Sequence, residues 1–212
     1  MELIIISSDT IILMNNKSIP APSAKEVKKY ISTWKSLDNY VLQERSLEKL
    51  FLRTYPNNND LDDVLIKVCS LNDFYSTNIF SPFTVAKHIV ELNIDKDLKK
   101  ENLSIVNKIG LVTMNGNKQK NFYSFATKYC SHHKPNVYPI YDSYVEKVLM
   151  HLKKKDSFSK FKKADLKEYE LFKSILLDFQ KFYNLEQFDI KHIDQYLWQL
   201  GKEYFPKNYN RK

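Results

Sequence analysis

Glycine is nearly missing: the chain has 3 in 212 residues. That leaves no material for a phosphate-cradling loop, and neither a Walker-type nor a dinucleotide-binding motif occurs. It also argues against sandwiches and barrels, whose many tight turns consume glycine. Cysteine is as scarce. Cys69 and Cys130 show no metal-ligand spacing and are too few for a disulfide framework. Both fall in apolar helical patterns, which predicts two buried free thiols in a reducing compartment. Of the 33 basic residues only Arg45, Arg53 and Arg211 are arginine, so the rest are lysine. Bidentate arginine readout of guanine is therefore not expected. With abundant Asn and Ile, the choice of lysine reads as the codon usage of an AT-rich genome. The excess over 25 acids, a net charge of +8, still favours weak, sequence-tolerant nucleic-acid affinity. Long apolar runs are absent too, and Glu2-Leu3-Ile4-Ile5-Ile6 carries an acid where a signal peptide needs a base. The expectation is a cytoplasmic protein with no membrane partner.

Acid is absent where base is present. Asn102 to Tyr141 contains no Asp or Glu but holds Lys108, Lys118, Lys120, Lys128 and Lys134 with His132 and His133. The run ends at Asp142, in Pro139-Ile140-Tyr141-Asp142-Ser143-Tyr144-Val145-Glu146-Lys147-Val148-Leu149. A carboxylate beside a basic, aromatic surface suits an enzyme of an anionic polymer: the lysines attract phosphate, and the acid stabilises positive charge or activates water. Asp142 is equally a good N-cap for the helix that follows. The two readings are compatible.

What is plentiful is helical periodicity. Residues 2–14 are the exception and read as a small β-hairpin. After the Pro20-Ala21-Pro22 spacer, Ser23 caps a helix over about 24–34, and a second covers about 36–53. Asp60 opens a third helix through Leu71, followed by a polar break from Asn72 to Asn78. Pro82 starts a helix with Val85, Ile89 and Leu92 on its core face. A short helix over about 103–109 precedes a brief hairpin around Asn115-Gly116. A helix over about 121–131 leads to an extended crossing from Pro135 to Tyr141. Beyond Asp142 the long helical candidates cover about 165–183 and 189–203, and the Lys153–Lys163 region reads as a solvated connector. The fold class is mainly α. One domain of one or two lobes spans residues 1–212, with a cleft near 72–78 and 115–142.

The segment Pro139 to Leu149 resembles the one that holds the catalytic aspartate in helix-hairpin-helix DNA glycosylases, the adenine-excising branch most closely. Ser124, eighteen residues before Asp142, occupies the position where lyase-type members carry a Schiff-base lysine. Leu61–Leu71, the turn after it and the helix over 82–92 are similar to that superfamily's helix, pocket-lining turn and next helix. The resemblance covers about residues 60–152. Departures are plain: the loop from Ile109 to Lys120 is longer than the family's hairpin, its glycines are spaced differently, and no cysteine cluster follows. The chain as a whole also resembles an uncharacterised bacterial family.

The resemblance implies a monofunctional glycosylase acting on a flipped, damaged or modified base, with double-stranded DNA as partner and no cofactor. Asp142 would stabilise the oxocarbenium-like sugar or activate water. Asn72, Asp73, Tyr75, Asn78, Tyr123, Ser124 and Tyr141 are base-pocket candidates, with Phe122 a further stacking candidate. Lys118, Lys120, Lys128 and Lys134 are the expected phosphate contacts. Ordinary roles compete with each of these: core packing for the aromatics, a small residue at a helix crossing for Ser124. No metal site is expected, because adjacent histidines on a helix point apart. Two other classes stand beside the enzyme. One is a non-catalytic nucleic-acid-binding module in which Asp142 only caps. The other is a host-defence or protein-interaction component whose lysines reflect genome bias. If residues 102–141 face a duplex, changing Lys118 and Lys120 together to Gln should flatten the slope of log affinity against log salt by about 2. An unchanged slope in salt-titrated binding would show that this turn does not touch the backbone.

Overall fold

The computed structural model describes residues 18–206 apart from Asn115. The hairpin expected at residues 2–14 lies outside them. Ser23 accepts the Glu26 N–H and opens α1, Ala24–Lys35. α2, Asp38–Lys49, runs on into a π-helical turn, Leu50–Thr54, that delivers Phe51 to the core. Asp60 caps α3, Leu61–Tyr75. This helix continues past Leu71 through the residues expected to form a polar break; the break begins only at Ser76, whose left-handed backbone (φ 49°) ends the helix. Asn72 explains the difference. Its side chain donates to Ile79 O and accepts from the Ile79 N–H and the Thr77 hydroxyl, so it belongs to the helix while stapling the turn beyond it.

α4, Pro82–Leu92, starts at its proline as expected. α5, Asp95–Lys99, has no counterpart in the sequence reading. α6, Ile105–Gly110, leads into an antiparallel hairpin of β1, Leu111–Met114, and β2, Lys118–Asn121, in which Val112 faces Lys120 and Met114 faces Lys118. α7, Tyr123–His133, packs back on α6. Residues 135–137, expected to be extended, form a turn closed by Val137 and Tyr138 N–H bonds to Lys134 O, and only Pro139–Tyr141 cross to Asp142, which caps α8, Ser143–Asp156. The long helix expected over 165–183 is divided at Glu168 into a 3-10 turn, Lys163–Lys167, and α9, Tyr169–Phe182. α10, Ile190–Tyr204, closes the described chain. Among the described residues the protein is mainly α-helical with one small two-stranded sheet.

The core forms where α3 packs on α4, α6 on α7, and α10 on both α8 and α1. Cys130 is buried, but Cys69 is exposed on α3, which corrects the expectation of two buried thiols: the apolar stripe of α3 runs through Val64, Val68 and Leu71, and Cys69 falls outside it. Two lysines, Lys67 and Lys128, are buried among the described residues. Lys67 reaches Tyr55 O (3.0 Å), Asn57 O (2.7 Å) and Asn58 Oδ1 (2.7 Å), holding the loop before α3, and burial lowers its pKa to about 8.

α10 approaches α8 closely at Gly201. A Cβ at Gly201 would stand 2.6 Å from Tyr144 Cβ and 2.8 Å from its carbonyl oxygen. Only glycine admits that approach, which seats α10 against the first turn of α8. Gly201→Ala should lower stability by about 1–3 kcal/mol despite alanine's better helix propensity. A urea melt showing no loss would mean that the helices are further apart than described.

Candidate functional site

The crossing from Pro139 to Tyr141 is buried or half-buried, and among the described residues no strand pairs with it. Its backbone groups are satisfied by side chains. Tyr169 on α9 donates to Pro139 O (2.9 Å), the Ile140 N–H donates to Asp194 Oδ2 on α10 (2.8 Å), and the Tyr141 N–H donates to Thr127 Oγ1 on α7 (3.1 Å). Tyr141 O accepts from the Ser124 hydroxyl (3.0 Å) and the Lys128 ammonium (3.4 Å). Immediately after this clamped segment Asp142, with extended backbone, accepts the Tyr144 N–H at 2.7 Å. The capping role is thus real. The same half-buried carboxylate lines a cleft of about 530 Å³.

The cleft has an aromatic wall. Trp34, Tyr40 and Trp198 pack ring to ring, with centroids 5.1–5.9 Å apart, and Tyr144 meets Trp198 edge-on. Tyr75 stands opposite in sequence, from the end of α3, its hydroxyl 3.1 Å from His132 Nε2. Both tryptophans of the chain line this one cleft. Its charges come from four helices. Lys191 pairs with Glu44 at 2.7 Å, and Trp34 Nε1–H donates to the same carboxylate at 2.9 Å. Lys202 lies over the Tyr40 and Trp198 rings. Lys128, 3 % exposed, donates to Ser124 Oγ at 2.6 Å and stands 5.3 Å over the Tyr75 ring. Asp194 is buried, its Oδ1 has no hydrogen-bond partner among the described residues, and its carboxyl is held well above the usual range chiefly by burial. Asp142, isolated along the sequence, is therefore not isolated in space: Glu44, Glu48 and Asp194 share its cleft.

Of the residues singled out from sequence, the structure brings together Asp142, Tyr75 and Lys128. Ser124 and Tyr141 lie behind the wall as parts of the clamp, and the Tyr141 hydroxyl donates to Glu146. Tyr123 is buried against Tyr141 and Tyr169. Phe122 packs on the core. Asn72 staples its turn, and Asp73 and Asn78 are exposed outside the cleft lining. Lys118 and Lys120 are exposed on β2, and Lys134 pairs with Glu101 at 2.9 Å, so of the four lysines only Lys128 enters the cleft. The wall from α1, α2 and α10 was missed. The available signal was the rarity of tryptophan, of which the chain has two. Among the described residues no group of three or more His, Cys, Asp or Glu side chains is placed to hold a metal ion, and no helix is long and apolar enough to cross a membrane.

A mainly helical scaffold with an aromatic, carboxylate-bearing cleft is the class of protein so defined. The chain belongs to the family HI_0787_N, whose N-terminal domain it matches over residues 26–137. It is 52 % identical over 151 residues to an "Uncharacterized protein" of Haemophilus influenzae (strain ATCC 51907 / DSM 11121 / KW20 / Rd), covering 71 % of this chain and 72 % of the relative. No solved structure matches it significantly.

His132, which lines the cleft, and His133, packed behind it against Phe51, make this side of the protein sensitive to acid. Burial, with the nearby Lys191, Lys128 and Lys67 charges, pushes both imidazoles from 6.5 down to about 3. Both stay neutral in the fold while the unfolded chain takes up protons below about 6.5. Their contribution to stability is therefore present above about pH 6.5 and is lost as pH falls toward 3, at up to about 1.4 kcal/mol per pH unit for each ring. His133→Gln should flatten that part of the stability–pH curve in denaturant melts; an unchanged slope would show that His133 titrates normally.

Proposed function

We propose that the cleft receives a base extruded from nucleic acid and that the protein hydrolyses its N-glycosidic bond. One observation carries the reading: Asp142, the residue singled out by the glycosylase-like segment, lies in the wall of an aromatic cleft large enough for a planar ring. The aromatic wall suits stacking of the base. The base departs with the electrons of the C1′–N bond, the sugar becomes oxocarbenium-like, and water adds to C1′, giving up a proton that ends on the departed base. Half-buried and fixed by the clamp and the cap, the Asp142 carboxylate faces that developing charge with little reorganisation. Ser124 supports a monofunctional enzyme, because its hydroxyl is engaged with Tyr141 O and Lys128.

A second reading has its own support. The Asp142 cap at 2.7 Å and the pairing of Lys134 with Glu101 fit a module that binds a partner without catalysis. The two readings part on one variant. In a panel of duplexes carrying damaged, mismatched and modified bases, the wild type should release one base. Asp142→Asn should abolish release while costing about 1 kcal/mol or less of stability, since asparagine caps nearly as well. No release from any duplex would overturn the enzymatic reading.

A further inference from the structure

Asp194 is the buried group that the proposed chemistry leaves unused. It is 7 % exposed on α10 and lines the cleft together with Asp142 and Lys128. One oxygen accepts the Ile140 N–H at 2.8 Å, and the other, enclosed by the side chains around it, has no hydrogen-bond partner among the described residues. An orphaned buried carboxyl oxygen is costly, and a structural anchor for Ile140 needs only an amide or hydroxyl oxygen. We propose that Asp194 sets the specificity of the cleft, donating from its second oxygen a hydrogen bond to an acceptor atom on the edge of a purine-like heterocycle stacked on the aromatic wall. This rests on the reading of the cleft as a base pocket.

The surroundings favour a donor. Oδ2 is already an acceptor for Ile140, and burial raises the carboxyl well above the usual carboxylate range, which favours its protonated form. Of the charges acting on it, Lys128 on α7 opposes protonation and Asp189, which caps α10, promotes it. A neutral carboxyl donor beside stacked rings selects a planar heterocycle with an edge nitrogen or carbonyl. It rejects an isostere with C–H there, because the O–H is then left unpaired.

The tryptophans provide the readout, since both line this cleft. Free nucleobases, and adenine analogues with one acceptor nitrogen at a time replaced by C–H, are titrated while tryptophan emission is followed. The full-length wild type should be quenched by a purine and bind one analogue about ten-fold more weakly. Asp194→Asn should keep that discrimination, its amide N–H donating where the carboxyl did, and Asp194→Leu should lose it. Infrared difference spectra of the wild type give a second measurement that needs no variant to fold: the protonated carboxyl stretch, absent in Asp194→Asn, should shift when the purine binds. Quenching with an unshifted band, or discrimination that survives in Asp194→Leu, overturns the assignment of Asp194 alone. No quenching of the wild type by any base overturns the base-pocket reading and this assignment together.

Discussion

An extended segment buried among helices has no ladder to satisfy its backbone, and burying it unsatisfied would cost several kcal/mol. The crossing from Pro139 to Tyr141 is that segment, and the protein answers with side chains from α7, α9 and α10. Thr127, Ser124, Asp194 and Tyr169 are not interchangeable packing residues. Each meets one backbone N–H or C=O, and together they fix where the chain emerges at Asp142. A loop held by its own backbone groups on the surface would be free to drift; this one is bolted at successive residues from different helices.

The cleft follows from the clamp. Because Ile140 is tied to Asp194, α10 must lie alongside the start of α8, and Gly201 lets it come close enough to touch the Tyr144 backbone. That contact carries Trp198 to the rings of Trp34 and Tyr40 and completes the aromatic wall. The charge arrangement follows as well. Lysines that look like a basic surface in sequence are distributed in space: Lys128 turns inward, Lys134 meets Glu101, and Lys118 and Lys120 stand exposed on β2. The cleft is a mixed, partly paired site, better suited to holding a defined group than to attracting a polyanion by field alone.

Much of the helix order was legible because local signals agree with the fold. Ser23, Asp60, Pro82, Asp142 and Asp189 begin helices by capping or by proline chemistry, which needs no tertiary partner. The hairpin at β1 and β2 was legible from Asn115-Gly116 and the apolar residues before it. Local signals failed where a distant residue decides. Asn72 reads as a turn residue and serves as a helix residue, because its side chain can serve the turn from inside α3. Ser124 and Tyr141 read as pocket candidates and proved to be clamp parts, because a buried strand-like segment recruits nearby hydroxyls. Asp142 was found through its own neighbourhood. Its companions Trp34, Glu44, Asp194 and Trp198 were not, because contacts between the two ends of a chain leave no periodic trace.

The central claim is that the clamped carboxylate of Asp142 faces a sugar-borne positive charge next to a base-binding wall. It is tested most directly by comparing two short duplexes, one with an uncharged abasic-site analogue and one with a cationic pyrrolidine in the sugar's place. A site complementary to the transition state binds the cation far more tightly, by about a hundred-fold or more, and loses that preference in Asp142→Asn. Equal affinity of the wild type for the two duplexes, read from tryptophan emission, would contradict the account.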